Sequence, residues 1–476
     1  MGLLSLLALG FADLNIQHRD PWFECSLLLH GLASPVWLGW DLVAPALCKT
    51  LAFAVQGVLV SAILGFGLAL CYHLPLVRSV AAFARAVHEL FWALLFIQVT
   101  GLSPLTGFLA ILIPYTGFFA KVFAEIFEEC DRAPELSLPP STSYLSSMVY
   151  TRIIIAWPLI RNYVAYRFEC GIRSSAVLGF VGLPTLGFEL ETYFRQGDYG
   201  EAAGLLYLFF LIIFSLRFAF RIFLLPIYLL CAFVYLPPVA HVSWPLLVTF
   251  LTEDIIPKAL REGDAVALFH WAKDLWQTQA QEGVLNSLIL GQLALITTGC
   301  LSLFLFPFRS ALFFSKGMRS VSHFNLVIMR SCPEYLLAFV ALLLLGPSML
   351  PAIFALGIHN SAIIAHLLAL QTLELKLRAD VCHGFNLYFF EVLPRLYGSF
   401  LSLLFYRWEM ILRETAILGM LGIPTLGFYI DSAFEDIRFD RAVFLILISA
   451  CLNLVVDRIS VTFRRCLHIH HQPESV

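Results

Sequence analysis

Three stretches of this chain are too long and too apolar for a water-soluble fold: Thr50 to Tyr72, Val284 to Phe308 and Tyr335 to Leu373 contain no Asp, Glu, Lys or Arg. A helix needs about 20 mostly apolar residues to cross the hydrocarbon of a bilayer. The first two runs therefore match one span each, and the third is long enough for two. Lipid offers no partner to an open sheet edge, so the expected fold class is all-α, a polytopic membrane protein. The remaining composition agrees, since 60% of the 476 residues are hydrophobic and 13% are charged. That is too little charge to clothe a globular surface. Leu3 to Leu14 is apolar but has neither a basic start nor a small-residue cleavage site, and it reads as a short first helix rather than a signal peptide.

Several function classes fall away at once. The net charge is -3 and no basic run occurs, which argues against a nucleic acid partner. The eleven cysteines include no CxxC pair, so neither a disulfide framework nor a metal site is indicated. His468, His470 and His471 beside Cys466 read as a polar tail. No HExxH motif occurs, and no spacing suggests a nucleophile with its base, so an enzyme working within the membrane finds little support.

The chain repeats itself. YRFECGIRSSAVLGFVGLPTLGF, from Tyr166 to Phe188, returns as YRWEMILRETAILGMLGIPTLGF from Tyr406 to Phe428, an offset of 240 without a gap. RAVHEL from Arg85 answers RSCPEY from Arg330, and TGFFAKVFA from Thr116 answers SAIIAHLLA from Ser361, both at an offset of 245. A boundary near Arg221 divides the chain into a first repeat, residues 1–221, and a second, residues 222–476. Each reads as about six helices, giving about twelve spans in two parallel repeats. Basic residues, among them Arg78, Arg85, Arg217, Arg221, Arg309, Lys316, Arg319, Arg458, Arg464 and Arg465, fall on one side of this plan. Because cytoplasmic loops retain Lys and Arg, both termini are expected in the cytoplasm. The opposite side receives two long loops, about Asp13 to Lys49 and Val239 to Glu282, together with the Gly-rich segments. Repeats of like orientation put a pathway between them, as in several transporters, although a channel shares that geometry.

The repeated stretch holds charges that lipid would reject. Glu169 and Arg173, like Glu409 and Arg413, are four residues apart and share a helix face, so each pair can neutralise itself. Arg167 and Arg407 lie about 200° around the helix from those glutamates. A lone arginine at membrane depth costs several kcal/mol and needs an acid, carbonyls or a watery cavity. Two destinations are open. Arg167 pairs with Glu89 and Arg407 with Glu334, locking helices together, or the two arginines draw an anion through a pathway with the fork that suits oxyanions.

YRFECGIRSSAVLGFVG, with GFEL beyond it, resembles the membrane permease of bacterial phosphonate ABC importers, and FAKVFAEIFEE resembles the stretch before its coupling helix. The wider family carries a VGxGGLG segment after the fifth helix, matched here by Gly182 to Gly187 and Gly422 to Gly427, with Pro184-Thr185 and Pro424-Thr425 in place of the central glycines. The resemblance implies a type I ABC importer permease fold in a bacterial inner membrane. It also implies two ABC ATPase subunits, an extracytoplasmic substrate-binding protein, and no cofactor in this chain, with ATP and Mg held by the partner ATPase. No GxxxxGK[ST] motif occurs, so the energy must come from another chain.

By the same resemblance Gly182, Pro184, Gly187, Gly422, Pro424 and Gly427 form an outer gate, or else a tight turn with no moving part. The family's coupling motif, E-A-A-x3-G-x9-I-x-L-P, falls at Glu135 to Ile154 and at Leu375 to Pro394. Glu135, Ser141, Lys376, Arg378, Asp380 and Pro394 are its expected contacts with the ATPases. Both copies are degenerate and in different ways, and Pro139 and Pro140 would break a helix in the first. The expected substrate is a small anion, phosphonate or a related oxyanion such as phosphite or selenate. The alternative is an ATPase-independent channel or ion-coupled carrier.

Overall fold

A bilayer core leaves backbone amides and carbonyls only each other as partners, and this chain meets that demand with helices. In a computed structural model that describes residues 7–16, 20–131, 133–139, 141–219, 222–240, 242–373, 375, 377–378 and 384–466, every regular element is helical. The first part comprises α1 (Pro21–Ala33), α2 (Trp40–Leu70), α3 (Pro75–Ala86), α4 (Glu89–Thr100) and α5 (Pro104–Glu129). A π-helical turn, Met148–Ile153, leads into α6 (Ile154–Val177), followed by α7 (Leu186–Gln196), α8 (Tyr199–Ala219) and α9 (Leu225–Tyr235). Later in the chain, α10 (Ala265–Leu275) continues through another π turn into α11 (Gln281–Arg309). The series ends with α12 (Lys316–Ser331), α13 (Glu334–Leu345), α14 (Met349–Gln371), α15 (Leu393–Gly419), α16 (Leu426–Glu435) and α17 (Phe439–Cys466).

The uncharged runs fall where the sequence puts them. The first lies mostly in α2 and the second in α11, while the double-length run divides at Gly346, whose φ of 85° is the left-handed conformation glycine tolerates. Five helices among the described residues are long and apolar enough to cross a membrane: Trp40–Leu70, Pro104–Glu129, Ala265–Arg309, Met349–Gln371 and Phe439–Arg465. Three bent pairs raise the number to eight if each is one span, and the chain is a polytopic membrane protein. Two of those pairs are sharp elbows. Pro75–Ala86 with Glu89–Thr100 and Lys316–Ser331 with Glu334–Leu345 each bend by 90°.

Two expectations need correction. The short first helix over Leu3 to Leu14 is helical only at residues 7–9 among the described ones, and residues 12–16 are irregular. Asp13 Oδ1 accepts from Asn15 Nδ2 at 2.9 Å, a local bond that competes with a helix, and the Asp13 carbonyl accepts from the Met349 amide at 3.0 Å instead. The long loops carry helices of their own, α1 and α10. Asp20 Oδ1 accepts from Phe23 N at 3.2 Å, and Asp264 Oδ1 accepts from Val266 N and Ala267 N at 2.9 and 3.0 Å. Such N-caps satisfy amides that have no partner in the first turn. The repeat boundary near Arg221 and the tail at His468, His470 and His471 lie outside the described residues.

The described residues fall into two compact units, Leu27–Phe250 and Leu251–Gln472 with Met1–Ser26. In the first unit α2 and α5 approach closely through glycines: a Cβ on Gly57 would meet Ile111 at 2.6 Å and one on Gly65 would meet Phe119 at 2.4 Å. Small residues at such seams let helix backbones come together where lipid supplies no hydrophobic drive. Gln56 on α2, fully buried, donates from Nε2 to the carbonyls of Ala232 and Leu236, both at 2.7 Å, and so pins α9. In the other unit Leu290, Ala294, Ala338, Leu356 and Ile411 share a core that also takes in Ala8. A second core gathers Phe306, Leu326, Ile364, Leu396 and Phe400.

Candidate functional site: two buried charged clusters

α6 places its charges beside the α3–α4 elbow. Arg167 is 4% exposed, and its Nε donates to the Tyr163 hydroxyl at 2.7 Å. Its guanidinium lies 4.2 Å from the ring centre of Phe118 and 5.2 Å from that of Tyr163, with Tyr115 and Tyr166 at 6.0 and 5.8 Å. Aromatic faces carry negative potential, so this cage offsets part of the cost of burying the cation. Tyr115 bonds the Ser174 hydroxyl at 3.0 Å, and Ser174 donates to Glu89 Oε1 at 2.7 Å. Arg167 and Glu89 both lie within electrostatic reach of Tyr115, so the acid proposed as partner stands in the same cluster.

The acid four residues before Arg173 behaves otherwise than expected. Arg173 Nη2 donates to Cys170 Sγ at 3.2 Å, and Glu169, half-buried, makes no ion pair among the described residues. A thiol three residues away on the same turn lies nearer to hand than the carboxylate.

α15 builds the second cluster from different side chains. Arg407, Arg413 and Glu414 are 5%, 8% and 7% exposed, and Glu409 is half-buried. Asn360 Nδ2 on α14 donates to Glu414 Oε2 at 3.2 Å, and Glu334, Arg407 and Arg413 all lie within electrostatic reach of Glu414. His359 Nε2 meets Glu334 Oε1 at 3.1 Å, so both elbow acids, Glu89 and Glu334, have a histidine beside them; His88 Nε2 lies 3.5 Å from Glu89 Oε2. Reasoning from charge alone missed Tyr115, Ser174, His88, His359, Asn360 and Glu414. Superposing the copies at the two offsets would have found four of them, since Tyr115 falls on Asn360 and Ser174 on Glu414, polar on polar.

The Gly-rich segments form tight turns. Gly182 and Gly422 have φ of 88° and 86°. A Cβ on Gly187 would lie 2.0 Å from the Ala176 carbonyl oxygen, and one on Gly427 would lie 1.8 Å from that of Ala416. Each turn is latched by a hydroxyl from a helix more than a hundred residues earlier in the chain: Thr50 Oγ1 of α2 accepts from Leu186 N at 2.8 Å, and Ser287 Oγ of α11 accepts from Leu426 N at 3.1 Å. Asn286 Nδ2 also donates to the carbonyl of Pro424 at 2.8 Å. Pro184 precedes the buried Thr185.

At the connectors, Glu135 is held by Arg152 through two hydrogen bonds, the Nη2–Oε2 one at 2.9 Å, while Arg152 Nη1 reaches the Phe127 carbonyl at 3.4 Å. Residues 133–137 make one 3-10 turn, the chain is irregular at Pro139, and Ser141 is exposed in a turn. The second connector reverses the polarity. Its Arg378 backbone amide donates to Glu391 Oε1 at 3.3 Å, and Arg395 Nη2 meets the same oxygen at 2.5 Å. Pro394 stands in the first turn of α15, where proline's missing amide costs nothing. Lys376 and Asp380 lie outside the described residues. Arg85, counted above among the loop bases, is 4% exposed, buried where Gly117 brings α5 against α3.

The chain has relatives of known name. It is 27% identical over 424 residues to the phosphate-import permease protein PhnE of Mycolicibacterium smegmatis, an alignment covering 80% of this chain and 76% of the relative. It is 29% identical over 206 residues, 38% of this chain and 74% of the relative, to the phosphite transport system permease protein PtxC of Stutzerimonas stutzeri. A cryptic phosphonate transport system permease protein of Escherichia coli, PhnE2, is 29% identical over 101 residues, 21% of this chain and 83% of the relative. No family model matches the chain. No solved structure matches it either. By this kinship the chain is a homologue of the permease proteins of phosphate, phosphonate and phosphite transport systems.

Proposed function

We propose that the chain is the transmembrane permease subunit of an ATP-driven ABC importer for a small phosphorus oxyanion, such as phosphate, phosphonate or phosphite. The observation that carries this reading is the kinship with permease proteins of such systems along 80% of the chain. Two repeats, 1–221 and 222–476, act as the two halves of a pseudodimer of about twelve spans. Support comes from the relatives themselves, because 38% of this chain accounts for 74% of one of them. The recurring 90° elbows and the hydroxyl-latched turns support the same reading. The chain sits in a bacterial inner membrane with both termini in the cytoplasm.

Two ATPase subunits bind at the connectors around Glu135, Ser141, Lys376, Arg378, Asp380 and Pro394, and ATP and Mg are held by those partners. An extracytoplasmic binding protein delivers the anion to the side bearing Gly182, Pro184, Gly187, Gly422, Pro424 and Gly427. Arg167, Glu169, Arg173, Arg407, Glu409 and Arg413 form the charged wall of the pathway. The arginines give it the positive potential that an oxyanion needs at membrane depth.

The test is reconstitution of the full chain in proteoliposomes with the ATPase and binding protein encoded beside it, using a panel of oxyanions. The expected result is ATPase stimulation by one loaded binding protein and accumulation that requires ATP. Accumulation by the chain alone, without nucleotide, would establish a channel or carrier and end this reading.

A further inference from the structure

The two elbows are stitched by histidines that hold different numbers of protons. In the α3–α4 elbow His88 is 3% exposed, and its Nδ1 accepts from the backbone amide of Leu90 at 3.1 Å. A backbone amide can only donate, so Nδ1 carries no proton, and His88 is the neutral tautomer with hydrogen on Nε2, facing Glu89 Oε2 at 3.5 Å. That contact needs no added proton.

His359 at the α12–α13 elbow is the reverse case. It is 1% exposed, and its Nδ1 lies 3.0 Å from the carbonyl oxygen of Cys332, the residue that ends α12 at the bend. A carbonyl can only accept, so Nδ1 carries hydrogen. In a neutral ring Nε2 would then present a lone pair to Glu334 Oε1 at 3.1 Å, and a carboxylate presents another. Two lone pairs do not meet at that distance in a buried site. One proton must lie between them, as imidazolium with carboxylate or imidazole with carboxylic acid.

The surroundings are ionisable on several sides. α15 contributes Glu414, with Arg407 and Arg413 both in reach of it. α12 ends with Arg330 in its last turn, and the elbow holds the buried thiol of Cys332. α11, packed against α14, has acid and base only at its ends, Glu282 and Arg309. Beside the bridge the Oδ1 of Asn360, a fully buried side chain, has no hydrogen-bond partner, leaving an acceptor for a donor in the cluster.

We propose that the second half carries a proton-binding site with no counterpart in the first, the His359–Glu334 bridge, and that the bound proton fastens the α12–α13 elbow to α14. The proton is held at low pH and released as pH rises through the midpoint of the bridge. The elbow is therefore fastened below that midpoint and loosened above it. The first elbow, stitched by neutral His88, does not respond over the same range.

Ring-15N-histidine spectra of the full chain in lipid bilayers, recorded from pH 6 to 9, test this directly, because the two nitrogens shift differently in each protonation state. The chain has 13 histidines, so signals are assigned as those lost in His359→Gln and in His88→Gln. The Nε2 signal of His359 should shift at low pH, as a proton on the ring or one donated to it by Glu334, and move back as pH rises, while the signals of His88 stay those of the Nε2–H tautomer. Glu334→Gln supplies a folded control, since its amide can donate to a neutral Nε2 without any added proton. In that variant His359 should be neutral throughout, and it provides the assignment if His359→Gln does not fold. His359 ring signals that do not change across the whole range in the unaltered chain, or that change alike in Glu334→Gln, overturn the proposal.

Discussion

Alanine at Gly427 is the most severe small change the structure allows outside the charged clusters. Its Cβ would stand 1.8 Å from the Ala416 carbonyl oxygen, with the carbonyl carbon and Cα of Ala416 behind it at 2.7 and 3.0 Å, all backbone atoms that cannot swing aside. The turn must open by more than an ångström to restore a normal contact. Opening it strains the bonds from Leu426 N to Ser287 and from Asn286 to Pro424, each worth about 1 kcal/mol. Overpacking of this kind adds about 1–3 kcal/mol. A total of about 3–5 kcal/mol corresponds to a fall of roughly 10 °C in the unfolding midpoint of a unit this size. Gly422→Ala is the comparison, because that residue has φ 86° but nothing within 4 Å of a Cβ. It should cost only the left-handed penalty, about 1–2 kcal/mol. Thermal unfolding of the purified full chain in detergent reads both variants. If Gly427→Ala unfolds within 2 °C of the unaltered chain by this order-of-magnitude reasoning, or if Gly422→Ala is the worse of the two, the close approach is refuted.

Three further outcomes follow from the same geometry. Arg167→Met removes the bond to Tyr163 and the cation–π contacts, so it should lose about 2–4 kcal/mol of stability. Arg167→Lys should recover stability better than uptake, measured by unfolding and by oxyanion accumulation. Reversing one end of the Glu135–Arg152 clasp, as Glu135→Arg or Arg152→Glu, should lower ATPase stimulation severalfold, and the double reversal should restore most of it. Gln56→Leu strips the donor from the buried carbonyl of Ala232 and the part-buried one of Leu236 and should destabilise the chain by about 1–3 kcal/mol, seen as a lower unfolding midpoint.

The spans of α2, α11 and α14 were legible because an uncharged run of sufficient length has few alternatives in a bilayer, whereas α13, read as a span, is 12 residues long and forms one arm of a bent pair. Gly346 divided the longest run, as its freedom at positive φ allows. The helices α1 and α10 were missed because their signal is local: one aspartate, Asp20 or Asp264, whose side chain caps the next turn. The buried arginines were legible as residues lipid cannot hold, but their surroundings were not. Periodicity places Arg167 on a face; it does not say that Phe118 and Tyr163 wait there. The Glu169–Arg173 pair was inferred from spacing, yet spacing only permits a contact, and Cys170 took its place in the first copy. Glu135 was read as a contact for a partner; that Arg152, seventeen residues away across a bend, holds it has no signal in the spacing.

The opening segment of the chain packs with residues that are made much later. Ala8 belongs to the core built by α11, α13, α14 and α15, and Asp13 bonds Met349. During synthesis it precedes those partners by several hundred residues of chain, while α9 can meet the α2 residue Gln56 as soon as it emerges. The helices from α2 to α9 can thus pack as they are translated, and residues 8–13 gain their partners only once α11 to α15 are made. A chain cut just before α9 would leave Gln56 in one piece and the carbonyls it holds in the other, and would part Ala8 from the core it joins.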